Sequence, residues 1–167
     1  IAFDPVNQRF LTCWMDVVEG PPLDIDIYCQ LIGAGGGLTG SAFTVSDAIG
    51  FKVLPSIAYD AVNQRFLVVW EDWRSGIESD IYGQLINTNG NLIGLNFTIC
   101  DATDDQWSPS AAYDLINSRY LVVWEDYREG TGYSDIYGQF INAGGSLSGT
   151  ASSISVASDS QESPSIA

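Results

Sequence analysis

A repeated octapeptide constrains this chain more than any other feature of its sequence. Arg-Phe-Leu-Val-Val-Trp-Glu-Asp at residues 65–72 returns as Arg-Tyr-Leu-Val-Val-Trp-Glu-Asp at 119–126, and in a diverged form as Arg-Phe-Leu-Thr-Cys-Trp-Met-Asp at 9–16. Each copy is followed after a short gap by Asp-Ile-Tyr-x-Gln, and the successive tryptophans are 56 and 54 residues apart. A period of this length indicates a fold built from stacked structural repeats.

Each repeat predicts four β-strands, and the second repeat shows them most clearly. A short apolar strand at 55–59 is closed by Asp60 and Asn63, whose side chains favour a turn because they bond nearby backbone groups. The second strand, at 65–71, is a continuous apolar run, which is typical of a strand covered on both faces. Its Phe66, Val68 and Trp70 would pack on one neighbouring repeat, and Leu67 and Val69 on the other.

The second half of the repeat supplies the remaining two strands. Residues 80–87 form the third strand and 91–100 the fourth, with Gly94 as the expected bulge. Asn89-Gly90 between them predicts a two-residue type I′ hairpin turn, in which both central residues have positive φ.

Four antiparallel strands per repeat, covered on both faces, are typical of a β-propeller blade. The sequence therefore predicts an all-β chain with three blades, at residues 1–56, 57–110 and 111–165, and the start of a further repeat at 166–167. The recurring Trp14, Trp70 and Trp124 are predicted to be core residues. A β-solenoid usually has shorter coils, and a β-sandwich would not explain the repetition.

Three blades do not close a ring, because known propellers have about four or more. The final Pro-Ser-Ile-Ala at 164–167 matches residues 55–58, so the sequence stops inside the opening of a fourth repeat. Two arrangements are open. Either a longer chain supplies further blades, or two copies form a six-bladed homodimer.

The charge of the chain excludes one class of partner. It carries 21 acidic and 6 basic residues, for a net charge of −15. Nucleic-acid binding is excluded because no basic surface could displace the counterions of the phosphates. No apolar run approaches the ~20 residues that span a bilayer, so membrane insertion is not expected.

The pattern Tyr-Asp-x-x-Asn-x-Arg-Phe-Leu-Val-Val-Trp-Glu-Asp at 59–72, followed by Ser-Asp-Ile-Tyr-Gly-Gln at 79–84, resembles the blade repeats of large secreted bacterial and archaeal surface proteins. Those blades are similar, more distantly, to sialidase-type and TolB-type propellers. The resemblance covers all three repeats and implies a propeller fold in a secreted or surface protein. The first repeat departs most, with Met15, Val18 and Cys29 in place of Glu71, Arg74 and Gly83. The chain lacks the sialidase Asp box, so sialidase activity does not follow.

Function is expected on the face of the disc formed by the strand 2–3 loops and the linkers between blades. These segments vary between repeats, whereas the turns on the opposite face are uniform. Aromatic and basic side chains among acids make this loop face a candidate for binding a protein or a glycan. The candidate binding residues are Trp73, Arg74, Trp107, Tyr127, Arg128 and Tyr133.

An acid pair is predicted at the mouth of every strand 2–3 loop. If Trp70 lies opposite Tyr82, then Asp72 lies opposite Asp80, and the other repeats follow the same register. Two like charges so placed need a cation, a proton or hydrogen bonds. Calcium is one candidate ligand, and Arg74 and Arg128 are the alternative partners. The candidate metal ligands are Asp16, Asp26, Asp72, Asp80, Asp126 and Asp135.

Catalysis is not expected, because the sequence offers few of the usual groups. The chain contains no histidine, so Ser-His-Asp and Cys-His mechanisms are excluded within it. A carboxylate pair could hydrolyse a glycoside, but the acids recur in every repeat, which favours a structural or multivalent role. Catalytic residues could still lie in further blades.

Two cysteines fall in the first repeat at positions that the register brings together. The pairing that sets Trp14 opposite Tyr28 also sets Cys13 opposite Cys29, close enough for a disulfide at the closer type of pair. Two unbridged buried thiols are the alternative. The predicted disulfide indicates an oxidising compartment and leaves Cys100 as a free thiol.

These features favour a non-catalytic propeller module of an extracellular or cell-surface protein, binding a protein, glycan or cation on its acidic, aromatic loop face. Two alternatives remain open. One is a fragment of a carbohydrate-active propeller enzyme of the glycoside hydrolase type, and the other is a structural, self-assembling repeat.

Overall fold

The computed structural model describes residues 1–20 and 22–167, and within them the chain is all-β. The strands are β1 Ala2–Asp4, β2 Arg9–Val18, β3 Asp24–Gly33, β4 Leu38–Ser46, β5 Lys52–Asp60, β6 Arg65–Asp72, β7 Asp80–Asn87, β8 Leu92–Cys100, β9 Gln106–Asp114, β10 Arg119–Asp126, β11 Asp135–Asn142 and β12 Leu147–Ser155.

The strands form three separate antiparallel sheets of four strands each. The first sheet contains β1–β4, the second β5–β8 and the third β9–β12, always in chain order. Four strands per repeat are therefore confirmed. The second and third sheets start at Lys52 and Gln106, a few residues before the repeat boundaries expected from the sequence.

The turns follow the predicted chemistry with one correction. The Asp60 carboxylate accepts hydrogen bonds from the backbone of Val62 and Asn63 and from the Asn63 side chain, which holds the β5–β6 turn closed. The β7–β8 hairpin is not type I′, because Gly90 has a φ of 86° but Asn89 does not have a positive φ. Gly90 N donates to Asn87 O, so this is a type I turn followed by a left-handed glycine.

Two apolar seams hold the three sheets together, as the alternation along the second strands predicts. Phe66, Val68 and Trp70 pack against the first sheet, and Leu67 and Val69 pack against the third. At each of the two seams, the earlier sheet presents mostly aliphatic side chains and the second strand of the later sheet presents aromatic ones. These five side chains are fully buried, so the second sheet is covered on both sides.

The prediction that all three recurring tryptophans are core residues is wrong for Trp14. Trp70 and Trp124 are fully buried, whereas 36% of Trp14 is exposed. Its sheet has no preceding sheet among the described residues, so its aromatic face is uncovered. The same sequence position is therefore core or surface depending on whether a neighbouring sheet is present.

The predicted disulfide is confirmed. Cys13 and Cys29 lie directly opposite each other on β2 and β3, with Cα atoms 4.0 Å apart, and are bridged. Cys100 is free and buried, and burial raises the pKa of its thiol to about 11. No helix in the described residues is long and apolar enough to cross a membrane.

Candidate functional site

The loop face is built from the strand 2–3 loops and the linkers between sheets, as predicted. Backbone hydrogen bonds join the two kinds of segment: Trp73 N donates to Phe51 O, and Tyr127 N donates to Asp105 O. The six predicted binding residues lie here, five in the loops and Trp107 as the second residue of β9. Their local contacts separate them into internal and exposed groups.

Arg74 is an internal group, because it is bound to one acid of the pair in the second sheet. Its Nε and Nη2 lie 2.9 and 2.6 Å from the two oxygens of Asp72, and its backbone N donates to the same carboxylate. The Trp70 indole N–H also donates to Asp72, at 2.6 Å. The guanidinium stacks on the Tyr82 ring, 3.8 Å from its centroid. Asp72 is therefore neutralised in the second sheet.

Arg128 repeats this arrangement in the third sheet. Its guanidinium binds both oxygens of Asp126, which also accepts the Trp124 indole N–H at 2.7 Å. The ring of Tyr137 lies 4.0 Å from the guanidinium carbon. The predicted alternative to calcium, neutralisation by arginine, is therefore present in both sheets. Both arginines are engaged in internal contacts.

The first sheet has Val18 where the others have arginine, and its cation comes from the neighbouring sheet instead. The Lys52 ammonium lies 3.2 Å from Asp26 and 3.1 Å from Asp24, and it also donates to Ala48 O. The Lys52 side chain is fully buried. In the third sheet the same position is Gln106, which donates to two linker carbonyl groups. Lys52 therefore makes a linker hydrogen bond, as Gln106 does in the third sheet, and it also balances the negative charge of Asp24 and Asp26.

The second member of each acid pair lies opposite the first, as predicted: Asp16 faces Asp26, Asp72 faces Asp80, and Asp126 faces Asp135. Burial, followed by the charges of Asp101 and Asp72, raises the pKa of Asp80 to about 6. Within the described residues, no group of three or more acidic, histidine or cysteine side chains is arranged to hold a metal ion. Calcium binding at these pairs stays a prediction.

An apolar recess lies between the first and second sheets on the loop face. We define it by Pro22, Leu23, Ile49, Gly50, Phe51, Trp73 and Gly76, which enclose about 230 Å³. The Trp73 indole N–H is already bonded to Glu71, at 2.8 Å. Gly50 has a φ of 104°, and a Cβ there would lie 2.6 Å from the carbonyl oxygen of Trp73. The recess therefore needs glycine at that position.

An acidic recess occupies the equivalent place one repeat later. We define it by Asp104, Asp105, Tyr127, Gly130 and Gly132, which enclose about 270 Å³. Corresponding hydrogen bonds shape the two recesses, since Gly130 N donates to Tyr127 O as Gly76 N donates to Trp73 O. One scaffold thus presents an apolar lining in one position and carboxylates in the other.

The remaining aromatic residues differ in exposure. Trp107 packs against Tyr127, with ring centroids 4.7 Å apart, and therefore supports the acidic recess from one side. Half of Tyr133 is exposed, and it lies in the loop between β10 and β11. The residues available to a ligand are therefore Trp73, Tyr127, Tyr133 and part of Trp107.

Two glutamates that the sequence did not single out bind the backbone of the segment that follows their own sheet. Glu125 accepts a hydrogen bond from Ser163 N at 2.7 Å, and Glu71 accepts a longer one from Ser108 N at 3.4 Å. Both donors have positive φ, at 55° and 54°. Burial raises the pKa of Glu71. Their recurrence in the repeat was visible, but only the structure identifies the neighbouring backbone as their partner.

Lys52 and the linker residues of the recesses were also missed. Lys52 is the only lysine in the chain, and this is the one feature of the sequence that could have drawn attention to it. Phe51 and Asp105 occupy equivalent linker positions of unlike chemistry, so no repeated pattern marks them.

The sequence was compared with family models and with curated proteins. No family model matches the chain, and none of the curated proteins compared with it is significantly similar. The resemblance to propeller blades of surface proteins therefore stays a prediction from the motif.

Proposed function

We propose that the chain is a non-catalytic β-propeller module of an extracellular or cell-surface protein, and that its loop face binds a protein ligand. Three four-stranded sheets that pack face to face in chain order support the assignment of the sheets as blades. The arginines and most acids of the loop face are bound internally, so binding depends on the two recesses.

The observation that carries this proposal is the unlike lining of two structurally equivalent recesses. The backbone around Trp73 and Tyr127 makes corresponding hydrogen bonds. Residues 49–51 give the first recess Ile, Gly and Phe, while 103–105 bring two aspartates to the second. A scaffold that is constant while its surface residues vary is the usual arrangement of a binding surface.

The chemistry of the recesses defines the ligand class. The first recess is mostly apolar and open to solvent, and 40% of Phe51 and 54% of Leu23 are exposed. Such a recess suits a buried aliphatic or aromatic anchor of a protein. In the second recess Asp105 accepts hydrogen bonds from the backbone and hydroxyl of Ser79, at 2.9 and 3.2 Å, so Asp104 is the carboxylate open to a cation. The net charge of −15 favours basic partners. The ligand is therefore a protein segment that combines an apolar anchor with lysine or arginine.

Selection from a displayed library of random peptides on the immobilised chain tests this proposal. Enriched peptides should share an apolar residue with nearby lysine or arginine. Binding of an enriched peptide, measured by calorimetry, should weaken about tenfold or more in Trp73→Ala, because an anchor pocket is lost. Asp104→Asn should weaken binding mainly at low ionic strength.

The variants are chosen to separate binding from folding. Asp104 has a φ of 61°, and asparagine tolerates that conformation, so Asp104→Asn removes charge without backbone strain. Ile116→Ala serves as the control, because this exposed residue lies in the β9–β10 turn on the opposite face, away from both recesses. If the library gives no such motif, or if Trp73→Ala binds the enriched peptide as the unchanged chain does, the proposal is refuted.

A carbohydrate-active module is the second candidate, and one observation favours it. Asp80 has a pKa raised to about 6, mainly by burial and by Asp101, as an acid that donates a proton at mild pH requires. Turnover of aryl glycosides that is lost in Asp80→Asn would establish this candidate in place of the first.

Location outside the cell is part of the same proposal. The Cys13–Cys29 disulfide supports it, because such bonds persist in oxidising compartments and are rare in the cytosol. Non-reducing peptide mapping of protein isolated from its native source tests it: recovery of both cysteines as free thiols would contradict it.

A further inference from the structure

A buried lysine joins the first and second sheets, and glutamine takes its place one repeat later. The Lys52 ammonium lies 3.1 and 3.2 Å from Asp24 and Asp26 of the first sheet, and it donates to Ala48 O in the linker. We call this group of residues the first junction. The residues 54 positions further along the chain, which we call the second junction, are Glu78, Asp80, Ala102 and Gln106.

Gln106 is held beside Asp80 by hydrogen bonds. Its backbone N donates to Ser79 O at 2.9 Å, and the Ser79 hydroxyl donates to Gln106 O at 3.1 Å. Ser79 directly precedes Asp80 in the chain. The Gln106 Nε2 donates to Ala102 O at 3.0 Å, which is the same linker contact that the Lys52 ammonium makes one repeat earlier. The Gln106 amide therefore occupies the place that the ammonium occupies in the first junction.

One polar atom of this amide has no partner. The Gln106 side chain is fully buried, and its Nε2 donates to both Ala102 O and Asp104 O, at 3.0 and 2.6 Å. These two carbonyl groups fix the orientation of the amide, because oxygen in place of Nε2 could not donate to them. The Gln106 Oε1 therefore points away from the linker, and it has no hydrogen-bond partner among the described residues. A buried acceptor without a donor destabilises a fold.

The acids of the second junction have no cation. Glu78, Asp80 and the nearby Asp101 form no ion pair within the described part of the chain. Asp72, which lies opposite Asp80, is bound by Arg74. Burial, followed by the charges of Asp101 and Asp72, raises the pKa of Asp80 to about 6, as expected for a carboxylate without a compensating cation.

From the unpartnered amide oxygen and the uncompensated acids, we propose that the second junction binds a calcium ion between Gln106 Oε1 and the Asp80 carboxylate. The ion takes the place of the Lys52 ammonium. Calcium binds several oxygen ligands, and carboxylate, amide and water oxygens all serve. The negative charges of Glu78 and Asp101 favour a divalent ion over a monovalent one.

This site differs from the acid pair that the sequence predicts. The pair joins two strands of one sheet, Asp72 on β6 and Asp80 on β7, and Arg74 already neutralises Asp72. The proposed ion instead joins the second sheet to the third, through the amide oxygen of Gln106. The proposal goes beyond the proposed function, because it does not involve the peptide ligand of the recesses.

The third sheet repeats the glutamine but not the acids. Gln161 corresponds to Gln106, and its Oε1 is also without a partner. However, Tyr133 stands at the position of Glu78, and Val156 at the position of Asp101. The negative charge that would attract a divalent ion is therefore reduced there. We expect a single calcium ion per chain.

A calorimetric titration with calcium chloride at pH 7.5 and physiological ionic strength tests the proposal. One ion per chain should bind, with a dissociation constant of about 0.1–1 mM, in the range of extracellular calcium modules. Millimolar calcium should also raise the melting temperature. Gln106→Lys should abolish the heat of binding and raise the melting temperature without calcium, because it places an ammonium where the first junction has one. Ile116→Lys, which adds the same charge in an exposed turn, is the matched control and should bind calcium as the unchanged chain does.

The reciprocal variant makes an independent measurement. Lys52→Gln gives the first junction the glutamine of the second, beside Asp24 and Asp26. This variant should bind two calcium ions per chain, and calcium should restore part of the melting temperature that it loses. Lys52→Met is its control: it also lacks the ammonium, but it supplies no amide oxygen and should bind one ion.

Four results would overturn the proposal. They are no heat and no melting shift with millimolar calcium, calcium binding that persists in Gln106→Lys, an equal loss of binding in Ile116→Lys, and a Lys52→Gln chain that binds no additional ion. Should Gln106→Lys fail to fold, Lys52→Gln and its control decide the question. Peptide binding to the recesses is measured separately, so failure here leaves the proposed function untouched.

Discussion

Replacing Trp70 by alanine measures how much the repeated seam contributes to stability. The Trp70 side chain is fully buried between the first and second sheets, and its indole N–H is bonded to the buried carboxylate of Asp72. Loss of a buried tryptophan leaves a cavity and costs ~3–5 kcal/mol. The hydrogen bond to a charged acceptor contributes a part of this, about 1.5–3 kcal/mol.

Two further variants divide this cost into its parts. Trp70→Phe keeps most of the apolar volume but removes the donor to Asp72, so it should cost less than alanine, about 1.5–3 kcal/mol. Trp14→Ala is the matched control, because the same position in the first sheet is 36% exposed. It should cost only about 1 kcal/mol in the single chain.

Urea-induced unfolding followed by circular dichroism gives the free energies of unfolding. The slope of the free energy against urea should stay constant if only stability changes. Measurements at several protein concentrations separate folding from any association. A loss below ~1 kcal/mol for Trp70→Ala, or equal losses for Trp70→Ala and Trp14→Ala, would refute the argument that a neighbouring sheet decides the role of this position.

Four other outcomes follow from the structure. Because the pKa of Asp80 is raised from 3.8 to about 6 in the folded chain, stability should fall as pH rises between those values, and Asp80→Asn should remove that part of the pH profile. If calcium binds at the acid pairs, millimolar calcium should raise the melting temperature, and Asp80→Asn should remove most of that rise. If calcium causes no shift, the arginines and hydrogen bonds alone neutralise the pairs. Lys52→Gln should lower the free energy of unfolding by roughly 3 kcal/mol, because it leaves Asp26 without its buried cation. An unchanged denaturation midpoint would contradict the conclusion that Lys52 balances the charge of Asp26. Reducing the Cys13–Cys29 bridge, which closes a loop of 16 residues, should cost about 3 kcal/mol, whereas a double serine variant of these cysteines should be insensitive to reductant.

The strands and their register were predictable because they depend on local pattern. The continuous apolar runs marked the second strands, and one pairing, Trp70 with Tyr82, placed the disulfide and the acid pairs in register. A strand pair is fixed by a single offset, so one correct partner determines all others.

The remaining features depend on neighbours that are distant in sequence. Trp14 occupies the same repeat position as Trp70, but no sheet among the described residues packs on its aromatic face. Lys52 lies 26 residues from Asp26, in a different sheet, so no spacing rule connects them. The turn at Asn89-Gly90 was misjudged because the same dipeptide suits a type I turn with a left-handed glycine.

The recesses show the same limit of sequence reasoning at the candidate site. Trp73 and Tyr127 were expected on the loop face, but the linker residues Phe51 and Asp105 that complete each recess were not. Phe51 and Asp105 lie beside the loops because their carbonyl groups accept backbone hydrogen bonds from Trp73 and Tyr127. No repeated residue type marks those bonds in the sequence.

The position of the disulfide has a consequence for misassembly. It joins β2 to β3 within the first sheet, at two directly opposed residues. A slip of one residue would turn every side chain of a strand to the other face of its sheet, and a weakly specified register is a route to alternate pairing. The covalent bridge prevents β2 and β3 from sliding past each other. The bridge therefore excludes a slipped pairing of these two strands, in addition to contributing to stability.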